Sequence, residues 1–525
     1  MPDNDEAQRV PLKPQSHAER TQVEPLLLLG LCTAALLLRF HNLDRQSIWY
    51  DEANGIRIAM RSLPDLFTEL TADASPPLYY LVMHAWVALF GHQEFAVRAF
   101  SALAGAGAVP VVFMAGRRLF GRRTAWAAAL LATLSPFHVY YSQEGRMYAL
   151  LALASAVLLL QGFLAGRRDR RRDWCGFAVA CAVAAYVHNY GIFVCAGVAT
   201  ALGLQLRRRP QALTHLGLAC AAAALLYLPW LPHALRSQLQ GSAITGGWLP
   251  RFSFSLIPQT ITHLGSLQAF SANGLLFWIG HAALILALAA AFVLWLRTSD
   301  SRSRWRWRVR PATAYVAIAL LVSAALPIAI SAAKPIYLPE RYAIAFWPAF
   351  VLLLAAGLCR LPRFWLLADW AALLLTSLGG LYLLFAMPQK SGDRLAAIFL
   401  AEQLRDTDLV VFAPHWTAVA PLYYLKALPH QAGYPMRTLE ERSRHNEALE
   451  RERRSLEDMT RDLNAHGRHP GARIILVRLL TEWETDAAQL QQAIERGWTR
   501  TAGAAFPPVA VLIYEPGPAL RGGNP

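Results

Sequence analysis

Two adjacent carboxylates, Asp51 and Glu52, are the sequence feature that points most directly to chemistry. They follow Trp49 and Tyr50, shortly after the first apolar run of the chain. Ionisable groups at a membrane are costly and indicate a functional site. Adjacent acids also repel each other, which raises the pKa of one of them, and carboxylates are common general bases. The alternative is structural, because Asp and Glu stabilise the first turn of a helix.

A second group of charged residues occurs later in the chain. Glu144 and Arg146 lie in one polar segment, and Lys334 and Arg341 in another. A planar guanidinium fork matches phosphate oxygens in a two-point contact, so both arginines are candidate phosphate ligands, which Lys334 could assist as a point charge. The alternatives are a solvated helix start for Glu144, and an ion pair with Glu340 or a snorkelling side chain for Arg341.

Composition predicts the elements that position these residues. The 525-residue chain is 55% hydrophobic, with a mean hydropathy of +0.29. Its apolar runs extend from Leu26 to about Met387 and then stop, which is typical of a multi-pass helical membrane protein with a soluble tail. Residues 1–25 are polar and lack a cleavage site, so we expect a cytoplasmic leader followed by an uncleaved first helix.

The formal net charge of +15 is concentrated in five short connectors. They hold 20 basic residues and three acids, and they lie at residues 117–123, 167–173, 207–209, 297–310 and 360–363. This pattern follows the positive-inside rule. The tail from residue 388 onward has 17 basic and 17 acidic residues, so its charge offers no basic face and no nucleic-acid partner is expected.

Eleven apolar runs are predicted to span the membrane. They are residues 26–40, 96–115, 125–140, 147–165, 174–190, 190–206, 212–231, 275–296, 312–331, 341–358 and 364–387. A twelfth run, Pro77–Phe90, has about 14 residues, fewer than the roughly 20 that a span needs, and is predicted to lie in the interface. All arginine connectors then become cytoplasmic, and the 41–95 segment becomes the first outer loop.

The predicted topology puts the polar motifs on the outer face. Cytoplasmic connectors contain no P-loop or glycine-rich nucleotide cradle, so a cytoplasmic nucleotide substrate is not expected. The six cysteines fall in or beside the apolar runs and form no CxxC pair, which argues against a disulfide framework and thiolate zinc sites.

The order of these outer motifs resembles the GT-C glycosyltransferases over roughly residues 25–390. It consists of Asp-Glu, then Pro-Pro-Leu-Tyr before an interfacial helix, then Gln-Glu-Gly-Arg-Met-Tyr, then Glu-Arg-Tyr at the start of a late helix. The bacterial branch related to protein O-mannosyltransferases and the lipid A aminoarabinose transferase is the most similar. The resemblance implies a many-helix fold with an outer cavity, a polyprenyl-phosphate sugar donor and inverting transfer. Members often carry His before Pro-Pro, whereas Ala74-Ser75 stand here, so we carry over no metal ligand. No cofactor is expected from the resemblance, and a divalent metal stays an open alternative without support.

The resemblance also gives the residues roles. Asp51 is the candidate base, and Glu52 orients the acceptor or holds Asp51. The full set of expected site residues is Asp51, Glu52 and Glu144 for catalysis, Arg146, Lys334 and Arg341 for the donor phosphate, and Tyr50, Tyr79, Tyr80 and His188 for the cavity. For the aromatic residues, a simple interfacial belt is the alternative. The acceptor stays open among lipid A, lipopolysaccharide, another envelope glycan and protein.

The tail, residues 388–525, is predicted to be a small exoplasmic α/β domain with a parallel sheet, which docks the acceptor or covers the cavity. Expected strands are 408–413, 473–477 and 509–514, and expected helices are 394–404, 417–426, 440–464 and 486–496. A flippase for lipid-linked sugars is the competing class, but no internal repeat supports it. A non-catalytic scaffold is a third possibility. We expect the protein in the inner (plasma) membrane, among its lipids.

Overall fold

The computed structural model describes a predominantly helical chain. The described residues are 17–73, 75–240, 249–266, 274–296, 311–387, 390, 392–405, 407–413, 415–425, 461, 463–468, 471–480 and 485–521. The helices up to residue 387 are α1 (His17–Phe40), α2 (Tyr50–Ala59), α3 (Leu63–Asp73), α4 (Leu78–Phe90), α5 (Glu94–Leu119), α6 (Arg122–Leu134), α7 (Pro136–Ser142), α8 (Tyr148–Arg168), α9 (Arg171–Val187), α10 (Tyr190–Leu206), α11 (Pro210–Tyr227), α12 (Leu231–Gln240), α13 (Leu256–Leu264), α14 (Leu275–Leu296), α15 (Pro311–Ile330), α16 (Pro339–Tyr342), α17 (Trp347–Leu358) and α18 (Arg363–Ala386).

The predicted multi-pass helical architecture is confirmed, because each of the eleven expected spans coincides with a helix or with consecutive helices. Within the described chain, six helices are long and apolar enough to cross a membrane: α5, α8, α11, α14, α15 and α18. A seventh span results if α16 and α17, which meet at a bend of 75°, cross as one. The number eleven stays a prediction.

Helices α5 and α8 form the centre of the bundle, whereas α11 and α18 lie at its edge. The most apolar stretch is 67% buried in α5 and 61% buried in α8, compared with 22% in α11 and 28% in α18. Small residues let the central helices approach closely. A Cβ on Gly105 of α5, for example, would lie 2.0 Å from Ser142 Oγ at the end of α7. Apolar residues such as Leu225 on α11 stay exposed, as lipid-facing positions require.

The 41–95 segment holds α2, α3 and α4. The apolar helix α4 begins at Leu78 and has 13 residues, fewer than a span needs, and its interfacial placement stays a prediction. Helix α2 begins at Tyr50, so Asp51 and Glu52 occupy its first turn, where acids suit the helix dipole. Its N-cap is Trp49, which makes no side-chain cap. The structural alternative therefore accounts for part of the acidic pair's position, but not for its contacts.

The C-terminal region forms a four-stranded mixed sheet. Its strands are β1 (Asp408–Ala413), β2 (Arg473–Leu479), β3 (Trp498–Phe506) and β4 (Val509–Pro516), in the order β1-β2-β4-β3. Only β1 and β2 pair in parallel, and β4 pairs antiparallel with both β2 and β3. The prediction of a parallel sheet was therefore wrong. Strand β3 was missed because its middle residues are small or polar and exposed, without an apolar alternation.

Helices cover both faces of this sheet. They are α19 (Asp393–Gln403), α20 (Val419–Leu425), α21 (Thr485–Glu495) and α22 (Pro518–Arg521). Along β2, Ile475 and Val477 pack in one apolar cluster with residues of α19, and Ile474 and Leu476 pack in another with residues of α21. Both faces are buried, which explains the continuous apolar run in β2. The predicted helix at 440–464 lies almost wholly outside the described residues.

Candidate functional site

Glu52 is a buried carboxylate that is bonded from three directions. Arg98 contacts it in a fork, with Nε 2.9 Å from Oε1 and Nη2 2.7 Å from Oε2. Lys390 Nζ and the Gly145 backbone N–H donate to Oε1 at 2.8 and 2.7 Å. Burial raises the pKa of Glu52, but Arg98, Lys390 and the Gly145 N–H outweigh it and lower the pKa to about 2. Glu52 is therefore ionised and has little capacity for another partner.

Arg98, near the start of α5, organises the chain around Glu52. Its side chain is 1% exposed, and its guanidinium also donates to the backbone carbonyls of Leu43, Gln46 and Ser47 at 2.7–2.9 Å. The arginine guanidinium has five N–H donors, which is enough to bond the carboxylate and all three carbonyls. This one side chain thus fixes the connection between α1 and α2 and orients the first turn of α2.

Gly145 allows the loop after α7 to approach Glu52. A Cβ at this position would lie 2.6 Å from Val97 Cγ1, closer than real contacts allow. A larger residue would push the backbone N–H of Gly145 away from the carboxylate. The glycine in the Gln-Glu-Gly-Arg motif is therefore required for close backbone approach.

Asp51, next in the chain, has different surroundings. Arg341 Nη1 donates to its Oδ2 at 2.8 Å, and the Asp51 side chain is 16% exposed, whereas that of Glu52 is 0% exposed. The Arg341 guanidinium also lies 5.1 Å from the ring centre of Trp49, a cation–π distance. Asp51 therefore keeps an accessible edge that a substrate can reach.

Arg146 joins the acidic turn to α4. Its Nη1 lies 3.2 Å from the Asp51 backbone oxygen and 3.3 Å from the Tyr80 hydroxyl. Tyr79 and Tyr80 are buried and meet edge to face at 5.3 Å. The Arg146 Nε is buried and has no hydrogen-bond partner among the described residues. This guanidinium therefore retains a donor for an acceptor atom of a ligand.

Glu144 is a second buried carboxyl, 1% exposed. Its Oε2 has no hydrogen-bond partner within the described part of the chain. Burial is the main reason why the pKa of Glu144 is raised to about 7. The positive charge of Lys390 opposes this rise, and the negative charge of Glu52 adds to it. Glu144 therefore changes its protonation near neutral pH.

An aromatic cluster lies beside the loop of Glu144 and Arg146. The His188 ring is 5.5 Å from both Tyr190 and Tyr342 and 6.1 Å from Tyr148, and Tyr190 stacks on Tyr342 at 4.4 Å. The His188 Nδ1 accepts a hydrogen bond from the Tyr190 backbone N–H at 3.1 Å. This arrangement provides flat ring surfaces close to Arg146.

The structure thus gathers most of the predicted site residues at one end of the bundle. Asp51, Glu52, Arg146, Arg341 and Tyr80 are linked by contacts, while Tyr79, Glu144 and His188 adjoin them. Tyr50 is the half-buried first residue of α2. Lys334 lies in the turn after α15, where its backbone N–H bonds to the Ile330 carbonyl, and it is Arg341 that pairs with Asp51.

Sequence reasoning missed Arg98 and Lys390. Arg98 is an ionisable residue inside an apolar run, a signal that was available, because such residues indicate function. Lys390 has no comparable signal, since it lies in the charge-balanced tail. As for metals, no cluster of three or more His, Cys, Asp or Glu residues able to hold an ion occurs in the described ranges.

Comparison with known proteins identifies the fold. Residues 74–233 match the family model described as dolichyl-phosphate-mannose-protein mannosyltransferase. The crystal structure of apo ArnT from Cupriavidus metallidurans superposes with a TM-score of 0.62 at 17% identity, over 96% of this chain and 100% of that chain. The chain therefore has the fold of this membrane protein. The predicted resemblance is confirmed.

A second structure, ArnT from Cupriavidus metallidurans bound to undecaprenyl phosphate, has a TM-score of 0.58 at 15% identity and covers 95% of this chain and 100% of that one. No curated protein sequence gives a significant match. The family match includes Arg98, Glu144 and Arg146 of this chain, whereas Asp51 and Arg341 lie outside it. The roles of those two residues therefore depend on the geometry described above.

Proposed function

We propose that this GT-C protein transfers a sugar from a polyprenyl-phosphate donor to a hydroxyl acceptor on the outer face of the membrane. The observation that carries the proposal is the pairing of an accessible carboxylate, Asp51, with the Arg341 guanidinium at 2.8 Å, next to a second acid that is fully neutralised. Base and phosphate ligand are thereby held side by side. The solved complex of a similar fold with undecaprenyl phosphate supports the choice of carrier.

Asp51 is the proposed general base. A base must reach the proton that it removes, and Asp51 is the more exposed of the adjacent acids. As Asp51 accepts the proton of the acceptor hydroxyl, the acceptor oxygen bonds to the anomeric carbon and the bond from that carbon to the phosphate oxygen breaks. The products are the glycoside and polyprenyl phosphate. A single displacement inverts the anomeric configuration.

Arg341 and Arg146 are the proposed ligands of the departing phosphate. The leaving group gains negative charge in a site shielded from water, where a guanidinium stabilises it strongly. Arg341 lies beside the base, and Arg146 retains its buried Nε. The aromatic surfaces at Tyr148, His188 and Tyr342 are the proposed contacts for the sugar or the prenyl chain.

Glu52 takes a different part from Asp51 in this proposal. Because both of its oxygens already bind cations, Glu52 holds the backbone of the site and accepts no proton. We place the N-terminus in the cytoplasm and the C-terminal domain outside, because the basic residues are concentrated in connectors that the positive-inside rule assigns to the cytoplasm. The acceptor is a lipid, a glycan or a protein with a free hydroxyl.

The test uses the purified full-length chain in liposomes with radiolabelled polyprenyl-phosphate sugars and envelope extracts. We expect transfer to one extract and a loss of about 10²-fold or more in Asp51→Asn. Asp65→Asn is the matched control, because Asp65 is an exposed acid of the same segment that bonds only locally to Ser62. No transfer to any extract, full activity in Asp51→Asn, or movement of labelled lipid between leaflets without product would contradict the proposal.

A further inference from the structure

Lys390 is a buried cation that lies just after the last helix of the membrane domain in the sequence and contacts the site near its beginning. Its Nζ lies 2.8 Å from Glu52 Oε1 and 3.3 Å from the Gln143 carbonyl oxygen, and its side chain is 6% exposed. Lys390 follows α18 by only a few residues, and its partner Glu52 lies 338 positions earlier in the chain. One ammonium group therefore connects the acidic turn of α2, the loop of Glu144 and the junction to the C-terminal domain.

The C-terminal domain anchors this junction on the 41–95 segment. Arg394, at the start of α19, donates to Glu94 Oε1 at 3.1 Å and to the Asp44 carbonyl at 2.7 Å. The Tyr424 hydroxyl of α20 donates to Glu94 and accepts the Ile48 backbone N–H at 2.5 Å. These contacts come from α19 and α20, and two of them bond to the backbone of the segment that leads into α2. They hold the chain on the C-terminal side of Lys390 in place.

The charges around Glu144 show what Lys390 contributes. Asp51 and Glu52 of α2 oppose its ionisation, whereas Lys390 and Arg341 favour it, with Lys390 the stronger of the two. Burial lowers the pKa of Lys390 itself, while Glu52 and Glu144 oppose that shift and Arg98 adds to it. Without a cation at position 390, Glu52 and Glu144 would lose one of the positive charges that stabilise their ionised forms. Ionising both buried acids would then cost more free energy, because their surroundings have a low dielectric constant.

We infer that Lys390 is a positioning residue of this site: it ties Glu52 to the Gln143–Glu144 backbone and supplies the positive charge that faces Glu144. The inference rests on the proposed function only for its effect on turnover. Both hydrogen bonds of the Lys390 ammonium group that the described residues show go to protein groups, so Lys390 acts through Glu52 and the Gln143–Glu144 loop. The C-terminal domain, which holds the junction, thereby becomes part of the active-site scaffold.

The first experiment needs no substrate. Infrared difference spectra of the full-length protein in lipid nanodiscs follow the protonated carboxyl band of Glu144 against pH, assigned by its loss in Glu144→Gln. We expect the midpoint to rise by about one pH unit or more in Lys390→Gln and Lys390→Met, because a nearby positive charge is lost. Lys390→Arg should keep the wild-type midpoint. A purely structural role would leave the midpoint unchanged in any folded variant.

Arg45→Met is the matched control. Arg45 is an exposed cation that touches the same junction, donating to the Phe385 carbonyl at 2.8 Å, and its bond is to backbone rather than to a carboxylate. This variant should keep the wild-type midpoint. A midpoint equal to that of the wild type in folded Lys390→Gln or Lys390→Met, or an equal shift in Arg45→Met, would overturn the inference.

The second experiment separates this inference from the proposed function. With labelled polyprenyl-phosphate sugar, Lys390→Gln should move the pH dependence of kcat in the same direction as the infrared midpoint, and Lys390→Arg should restore it. If the wild type transfers no sugar while the band still shifts, the proposed function fails and the role of Lys390 toward Glu144 stands. If the wild type transfers sugar and the band does not move, only the role of Lys390 fails.

Discussion

The two ends of helix α5 place arginines in opposite physical situations. Arg98, in the second turn, is 1% exposed and forks onto the buried Glu52. Arg117, in the last turn, is 48% exposed and pairs with the partly exposed Glu24. The two lie 19 residues apart, or about 29 Å along a helix. One helix therefore carries an exposed arginine in a predicted cytoplasmic connector and a buried arginine at the candidate site.

This contrast shows that burial and pairing, rather than charge itself, distinguish the arginine at the candidate site from the arginine at the exposed end of α5. Exposed pairs are screened by water and salt, so their loss costs little. A buried pair is different, because removing one partner leaves an uncompensated charge. The predictions below follow from this difference, from the largest effect to the smallest.

Arg98→Met should give the largest effect. It leaves Glu52 without its forked partner and frees three backbone carbonyls near α2. We expect a loss of about 3–5 kcal/mol in unfolding free energy, together with loss of transfer, measured by thermal unfolding in detergent and by the liposome assay. Stability within about 1 kcal/mol of the wild type would show that the buried fork is dispensable.

Glu144→Gln should change how stability depends on pH. The pKa of Glu144 is raised from 4.5 to about 7, so the folded protein binds the proton more tightly than the unfolded chain does, and this carboxyl makes stability fall as pH rises from about 4.5 to about 7. Glu144→Gln should remove that decline, which is of the order of 3 kcal/mol. Glu52 behaves oppositely: its lowered pKa contributes stability above pH 4.5 that is lost as pH falls toward about 2.

The measurement for Glu144→Gln is chemical unfolding at several pH values between 5 and 8. Asp65→Asn serves as the control, because Asp65 is exposed. An unchanged pH dependence in Glu144→Gln would mean that Glu144 is not the group that titrates.

Arg341→Met should lower kcat/KM by about 10²-fold, because it removes a guanidinium beside the base where phosphate charge develops. Arg341→Lys should recover only part of this loss, since a point charge lacks the fork. Because the Arg341 side chain is 25% exposed, we expect its loss to cost less stability than the loss of Arg98. Equal transfer rates for Arg341→Met and the wild type would exclude a phosphate role.

Arg117→Met should give the smallest effect. The Arg117–Glu24 pair is exposed on the arginine side, so its removal should change stability by about 0–1 kcal/mol and leave transfer unchanged. Thermal unfolding at low and high salt checks this. A loss as large as that of Arg98→Met would remove the distinction between the two ends of α5.

The helical framework could be predicted because lipid imposes a strong rule on sequence. Spans need long apolar runs, and short runs such as that of α4 stand out. The basic connectors and the short helix α4 followed from such local patterns, whereas the pairing of Asp51 with Arg341, over 290 residues, did not. Strand β3 did not, because its exposed Thr, Ala and Gly residues have no periodicity for the rule to detect.

The division of labour between Asp51 and Glu52 could not be predicted. Neighbours on a helix point in directions about 100° apart, so one side chain became buried and the other kept an exposed edge. Which one did so depends on Arg98 and Lys390, whose contacts with Glu52 span 46 and 338 residues. Contacts over such distances leave no local trace in a single sequence.

The contact between Lys390 and Glu52 also implies an order of assembly during biosynthesis. Helices α2 and α5 are synthesised long before residue 390, so Arg98 can bond Glu52 before its lysine partner exists. The Glu52 site is complete only after α18 has formed and the C-terminal domain has folded against the 41–95 segment. We therefore expect a chain truncated before residue 390 to retain the Arg98 fork and to lack the lysine contact.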